Sequence, residues 1–203
     1  MSIKLGVLLS GSGTNLQALI DAIRCGGLDA SIELVVSSRP NAYGLQRARA
    51  AHIPTLALST QDYADPIAAD ATIAQELIKY QVDYVVMAGY MRMVHAPILK
   101  RFPARVINIH PALLPSFKGA HAIKEAYDAG VKVTGVTIHF ADDRYDCGPI
   151  IAQQALVVDQ SWSLEELEEH IHAIEHVLYP KMLQLFATKR VEFNEATHKV
   201  FIR

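Results

Sequence analysis

The sequence predicts an α/β protein, a single doubly wound and mostly parallel sheet with helices on both faces. Three observations carry this. Short strand-like runs alternate with helical periods along the first two-thirds of the chain, the order that builds a parallel sheet with crossover helices. The runs are nearly all apolar, as strands covered on both faces must be. A chain of 203 residues, 51% of them apolar, is long enough for one sizeable core and short for two ordinary domains. One domain over 1–203 is therefore expected, with no repeat or linker.

The elements follow in order. Ile3 to Leu9 reads as a buried strand. Leu16, Leu19, Ile20 and Ile23 form one helical face, which Gly26-Gly27 ends. A strand over Ile32 to Val36, a helix near Gly44 to Ala51 and a short strand over Thr55 to Leu58 come next. Asp65-Pro66 opens a helix, Asp as N-cap and Pro at the first helical position, with Ile67, Ala71, Ala74 and Ile78 as its inner face. Tyr84 to Ala88 and Val106 to Ile109 are strands running into polar or glycine-containing loops. Ala120 to Ala129 is a helix, Val133 to Phe140 a strand, and Pro149 to Val158 an extended segment. Ser163 and Glu166 form a capping box for the longest helix. Its stripe runs through Leu164, Leu167, Ile171, Ile174, Leu178, Met182 and Leu185, with Pro180 expected to kink it. The tail reads as a terminal hairpin.

Composition narrows the function. A net charge of −2 with scattered Lys and Arg gives no field for nucleic acid. The run Leu5 to Leu9 is too short for a signal-peptide core, and no apolar stretch approaches membrane-spanning length. Cys25 and Cys147 form no Cys-x-x-Cys pair and read as reduced thiols. A cytoplasmic protein without a membrane or nucleic-acid partner is expected.

Doubly wound sheets hold ligands beyond the carboxyl ends of their strands, and four constellations are candidates. In Ser10-Gly11-Ser12-Gly13-Thr14-Asn15, small residues let backbone N–H groups approach an anion at a helix N-terminus. Leu16 stands where a dinucleotide fingerprint needs a third glycine, and no Gly-Lys-Ser/Thr ending is present. A plain strand-to-helix turn is the alternative. Asn108 and His110, two apart at a strand end, face one side. In a cleft they would pair an amide donor for an oxyanion with a group that carries a proton, as acyl transfer requires; a loop-capping Asn108 beside a core histidine is the alternative. The run Asp142-Asp143-Arg144-Tyr145-Asp146-Cys147-Gly148-Pro149 supplies carboxylates. One of them beside His110 would orient the imidazole and raise its pKa. Finally, His172-Ala173-Ile174-Glu175-His176 matches the H-x-x-E-H pattern of a zinc-peptidase group. Glu192 and Glu195 in the tail are the available third ligands, and with nine His in the chain such spacing arises readily by chance. No metal is expected.

Taken together, these stretches resemble the glycinamide ribonucleotide formyltransferases, folate-dependent enzymes of purine biosynthesis, over essentially the whole chain. The resemblance is carried by Gly11 to Asn15, Ala88-Gly89-Tyr90-Met91-Arg92, Asn108-Ile109-His110-Pro111-Ala112-Leu113-Leu114-Pro115, Gly135-Val136-Thr137-Ile138-His139-Phe140, Asp146-x-Gly148-Pro149, and Glu175-His176 before Tyr179-Pro180. It implies a Rossmann-like formyltransferase fold with a phosphate-binding half (1–100) and a folate-binding and catalytic half (101–203). It implies transfer of formyl from 10-formyltetrahydrofolate, the co-substrate, to the amine of glycinamide ribonucleotide. Asn108, His110 and Asp146 match the catalytic triad. Gly13, Thr14, Asn15, Gly89, Pro111, His172, Ala173, Ile174 and Glu175 match the substrate site. Met91, Arg92, Met93, Val94, Asn108, Asp142, Asp143, Arg144, Tyr145 and Asp146 match the folate pocket.

Three positions depart from the family pattern. Pro66 lies where an Arg often reaches the folate tail, Cys147 where a second Gly follows the catalytic Asp, and His172 where some relatives have Gln. Formyltetrahydrofolate hydrolases carry an extra N-terminal domain and initiator-tRNA formyltransferases an extra C-terminal one, whereas here the first strand begins at Ile3. A dinucleotide reductase, with Arg39 facing a 2′-phosphate, and a zinc peptidase are the more distant alternatives. A homodimer is left open.

Overall fold

A computed structural model describes residues 2–203. Nine strands and six α-helices follow in chain order: β1 (Ile3–Leu9), α1 (Thr14–Arg24), β2 (Ala30–Ser37), α2 (Tyr43–Ala50), β3 (Thr55–Ala57), α3 (Pro66–Lys79), β4 (Tyr84–Met87), α4 (Ala96–Arg101), β5 (Val106–His110), α5 (Ala122–Asp128), β6 (Val133–Phe140), β7 (Ile150–Val157), α6 (Leu164–Ala187), β8 (Val191–Asn194) and β9 (Lys199–Ile202). Seven strands form one sheet in the order β3-β2-β1-β4-β5-β6-β7, and β8-β9 pair separately as the expected hairpin. Strands β1 to β5 are parallel, and β6 runs antiparallel to both β5 and β7.

The alternation of β1 divides the core. Leu5, Val7 and Leu9 pack with Leu16, Leu19, Ile171 and Leu183 on one side. Leu8 packs with Ile73, Leu77 and Ile98 on the other. Both sides of the sheet are thus covered, as the apolar strands require.

Asp65 caps α3 as the sequence predicts, its Oδ1 accepting from Ile67 N at 3.0 Å and Ala68 N at 3.1 Å. The inner face of that helix differs from expectation. Ile67 and Ile78 are exposed, and the buried stripe is Ala69, Asp70, Ile73, Ala74 and Leu77. The reason is Asp70, a buried carboxylate that an apolar pattern discards but that rotates the true stripe by one residue. Helix α4 was not evident from periodicity; Pro97 in its first turn and Lys100-Arg101 in its last are its local signals. Helix α6 runs unbroken through Pro180, which is buried within it. Beside it, the fully buried Tyr179 sets its hydroxyl 3.0 Å from Met87 O and 2.9 Å from Ile107 O, fastening α6 to β4 and β5. No described helix is long and apolar enough to cross a membrane.

Strand order reverses between β1 and β4. The chain leaves β1 toward β2 and leaves β4 toward β5, so the loops after these strands diverge and open a crevice at their carboxyl ends.

Candidate active site

The loop after β1 forms one wall of the crevice. Gly13, N-cap of α1, has φ 71°, and a Cβ there would come within 2.6 Å of Gly44 Cα; glycine alone satisfies both the left-handed backbone and the close approach. Having no side chain, it leaves the first turn of α1 without a side-chain cap, and Gly13, Thr14 and Asn15 line the crevice. Arg47 holds the turn from behind, its Nε donating to Ser12 O at 2.9 Å. Asn15 is buried, and its Nδ2 donates to Glu175 Oε2 at 2.9 Å, while its Oδ1 has no protein partner. His172 Nδ1 lies 2.9 Å from the same Glu175 oxygen. That hydrogen bond raises the His172 pKa against the opposing effect of burial. Asn15, His172 and Glu175 therefore join the start of α1 to the middle of α6.

The other constellation lies at the end of β5. Asn108 and His110 share one side of the strand, and the antiparallel register sets Asn108 directly opposite His139 on β6. Asn108 Nδ2 is 3.1 Å from His139 Nε2 and 3.4 Å from Asp146 Oδ1. His139 Nδ1 lies 2.8 Å from Phe140 O. A carbonyl can only accept, so Nδ1 carries the proton and Nε2 accepts from the Asn108 amide. His110 donates from Nε2 to Phe117 O at 2.7 Å, leaving Nδ1 turned to Asp146 Oδ2 at 3.5 Å.

Asp146 reaches this cluster from the loop after β6. It adopts φ 49°, and the next-but-one Gly148 has no room for a Cβ against Phe140 O. Gly119 N donates to Asp146 Oδ2 at 2.8 Å. Burial alone would raise the Asp146 carboxyl, but the hydrogen bond from the Gly119 amide, with the charge His110 can carry, brings it below its ordinary value. For His110 the balance is the reverse of expectation. Asp146 and Phe117 O pull its pKa up, yet burial outweighs them and lowers it. Burial thus favours the neutral form of the resting imidazole.

Both constellations line a single cavity of about 710 Å³. Met91, Met93, Val94 and Ala141 form an apolar part of its wall, and Arg39, Arg92 and Arg144 bring cations to it.

A sequence profile of the formyl transferase family matches residues 3–183. The chain belongs to the formyl transferase family. Phosphoribosylglycinamide formyltransferase of Bacillus subtilis is 39% identical over 181 residues, 89% of this chain and 93% of that one. The crystal structure of glycinamide ribonucleotide transformylase 1 from Symbiobacterium toebii superposes with a TM-score of 0.94 at 45% identity, covering 99% of this chain and 94% of that one. The trifunctional purine biosynthetic protein adenosine-3 of Chironomus tentans is 40% identical over 194 residues, and the chain spans 14% of its length.

Within this formyl transferase, most residues expected at the site line the cavity: Asn108, His110 and Asp146, the Gly13 to Asn15 turn, Gly89, Pro111, Met91 to Val94, Asp142, Arg144, Tyr145, His172 and Glu175. Asp143, Ala173 and Ile174 do not. On α6 the residues three apart, His172 and Glu175, share a face, while Ala173 is exposed and Ile174 packs toward the core; Asp143 is exposed beside Asp142. The H-x-x-E-H spacing thus places a carboxylate in the cavity, and no group of three His, Cys, Asp or Glu able to hold a metal occurs among the described residues. His139 has no local sequence signal for a role, because its partner Asn108 is set by β5–β6 register.

Proposed function

We propose that this chain transfers the formyl group of 10-formyltetrahydrofolate to the amine of glycinamide ribonucleotide in cytoplasmic purine synthesis. The observation carrying this is the meeting of Asn108, His110 and Asp146 in the cavity that the Gly13 to Asn15 turn also lines. The turn, with its uncapped amides, receives the phosphate. Glu175 and the free Asn15 Oδ1 accept hydrogen bonds from the substrate, and His172, its pKa raised by Glu175, can carry positive charge near it. The wall from Met91 to Val94, with Asp142 to Asp146, holds the folate.

The amine nitrogen attacks the formyl carbon, forming the new C–N bond as the carbonyl becomes an oxyanion. Asn108 Nδ2 donates to that oxyanion in exchange for its long contact with Asp146. One such donor contributes about a hundred- to a thousandfold in rate. Neutral His110 takes up the proton released by the amine at Nδ1, where Asp146 stabilises the imidazolium. The oxyanion then collapses, the bond to the folate nitrogen breaks, and the His110–Asp146 pair returns the proton to that nitrogen.

Mixing the protein with both substrates should yield formylglycinamide ribonucleotide and tetrahydrofolate in equal amounts. Deformylation at the same rate without the amine would instead make it a hydrolase.

A further inference from the structure

The cavity wall from Met91 to Val94 belongs neither to a helix nor to a strand, so no backbone ladder sets its shape. Side chains from elsewhere do. At its start, Met91 N donates to Ser10 Oγ at 2.8 Å, and that hydroxyl lies 2.6 Å from Ser38 Oγ. In its middle, the Arg92 guanidinium sits 3.7 Å above the Tyr63 ring, whose hydroxyl is 2.7 Å from that of Tyr90. At its end, a single oxygen, Asp70 Oδ2, accepts from His95 N at 2.6 Å and from His95 Nδ1 at 2.8 Å.

Asp70 is the unusual member of this set. It lies on α3, otherwise a packing helix, and is only 1% exposed. A buried carboxylate is tolerated only when its hydrogen bonds are supplied, and His95 supplies two. The backbone N–H that it binds belongs to the N-cap residue of α4. It is therefore not one of the orphan donors of the first helical turn, and the bond fixes the chain entering α4, immediately after Val94.

We propose that Asp70, through His95, is a positioning residue for the folate: it fixes the Met91–Val94 wall and so sets affinity for the folate while leaving the phosphorylated substrate untouched. This rests on the assignment of that wall to the folate. The remainder of the cavity keeps its own anchors, Ser12 by Arg47 and Asn15 by Glu175, and its hydrogen bond with the wall, from Met91 N to Ser10 Oγ, lies at the end of the wall away from His95.

The test compares Asp70→Asn and His95→Ala with wild type in the intact chain. Titration calorimetry with tetrahydrofolate and with glycinamide ribonucleotide is run beside steady-state kinetics and thermal melting. Asp70→Asn should weaken tetrahydrofolate and raise the KM for formyl folate by about tenfold, the scale on which displaced positioning groups act. Glycinamide ribonucleotide affinity and kcat at saturating folate should stay within about twofold. His95→Ala, which keeps the backbone bond, should give a smaller change of the same kind. Equal losses for both ligands, or folate affinity unchanged in a folded variant, would overturn the proposal. If Asp70→Asn does not fold, His95→Ala decides: an unchanged folate KM overturns it. Wild-type protein that binds no tetrahydrofolate would sink the folate assignment itself.

Discussion

A buried histidine next to a carboxylate is pulled in two directions, and at His110 burial wins over Asp146. The acid–base role proposed for it therefore calls for an imidazole that becomes charged only during the reaction, with Asp146 favouring that change. Asp146→Asn keeps the shape of the loop and removes the charge. The His110 titration, already below its ordinary value of about 6.5, should move further down, because the lost carboxylate was stabilising the imidazolium. Turnover should fall by about a hundredfold or more with both ligands still bound. An NMR titration of His110 unchanged by the substitution would reduce Asp146 to a turn residue. His139 acts one contact further out, orienting the Asn108 amide. His139→Ala should lower kcat by about tenfold with little change in tetrahydrofolate affinity, and a normal kcat would show that Asn108 needs no such partner.

At the scale of elements, sequence signals were reliable where one short stretch contains both partners. The Ser163–Glu166 capping box is present with both reciprocal bonds, and Ser163→Ala should cost about 1 kcal/mol in denaturant unfolding. An unchanged midpoint would mean that the end of α6 frays without loss to the whole. The failures have the opposite character. The face of α3 was misplaced because Asp70 is inside for the sake of His95, on a segment beyond β4; apolar periodicity reads a buried carboxylate as outward-facing. His139 went unassigned because its importance comes from lying opposite Asn108, a register absent from either strand alone. That Asn108, His110 and Asp146 meet in one cavity was legible because their residue types, and the family pattern containing them, already group them before geometry is known.

For the whole molecule, the reversal of strand order between β1 and β4 opens the one crevice to which both proposed ligands are assigned. The end assigned to the phosphate is made by α1 and α6, joined through Asn15 and Glu175 across 160 positions of sequence. The other end is made by the loops after β4 and β6. These supports share few parts, so the two affinities should separate under mutation. Asn15→Leu tests this. The substitution removes the carbonyl oxygen that has no protein partner and the amide bonded to Glu175 Oε2, while His172 still satisfies that carboxylate. Glycinamide ribonucleotide should bind about a hundredfold more weakly, as when hydrogen bonds to a buried polar site are lost. Tetrahydrofolate should bind within about twofold of wild type, since no assigned folate contact is touched. Calorimetry with each ligand separately reads both numbers, and a melting curve checks that the α1–α6 junction has survived. Parallel losses for the two ligands would mean that Asn15 supports the crevice as a whole, and that the division of the cavity into a phosphate end and a folate end is wrong.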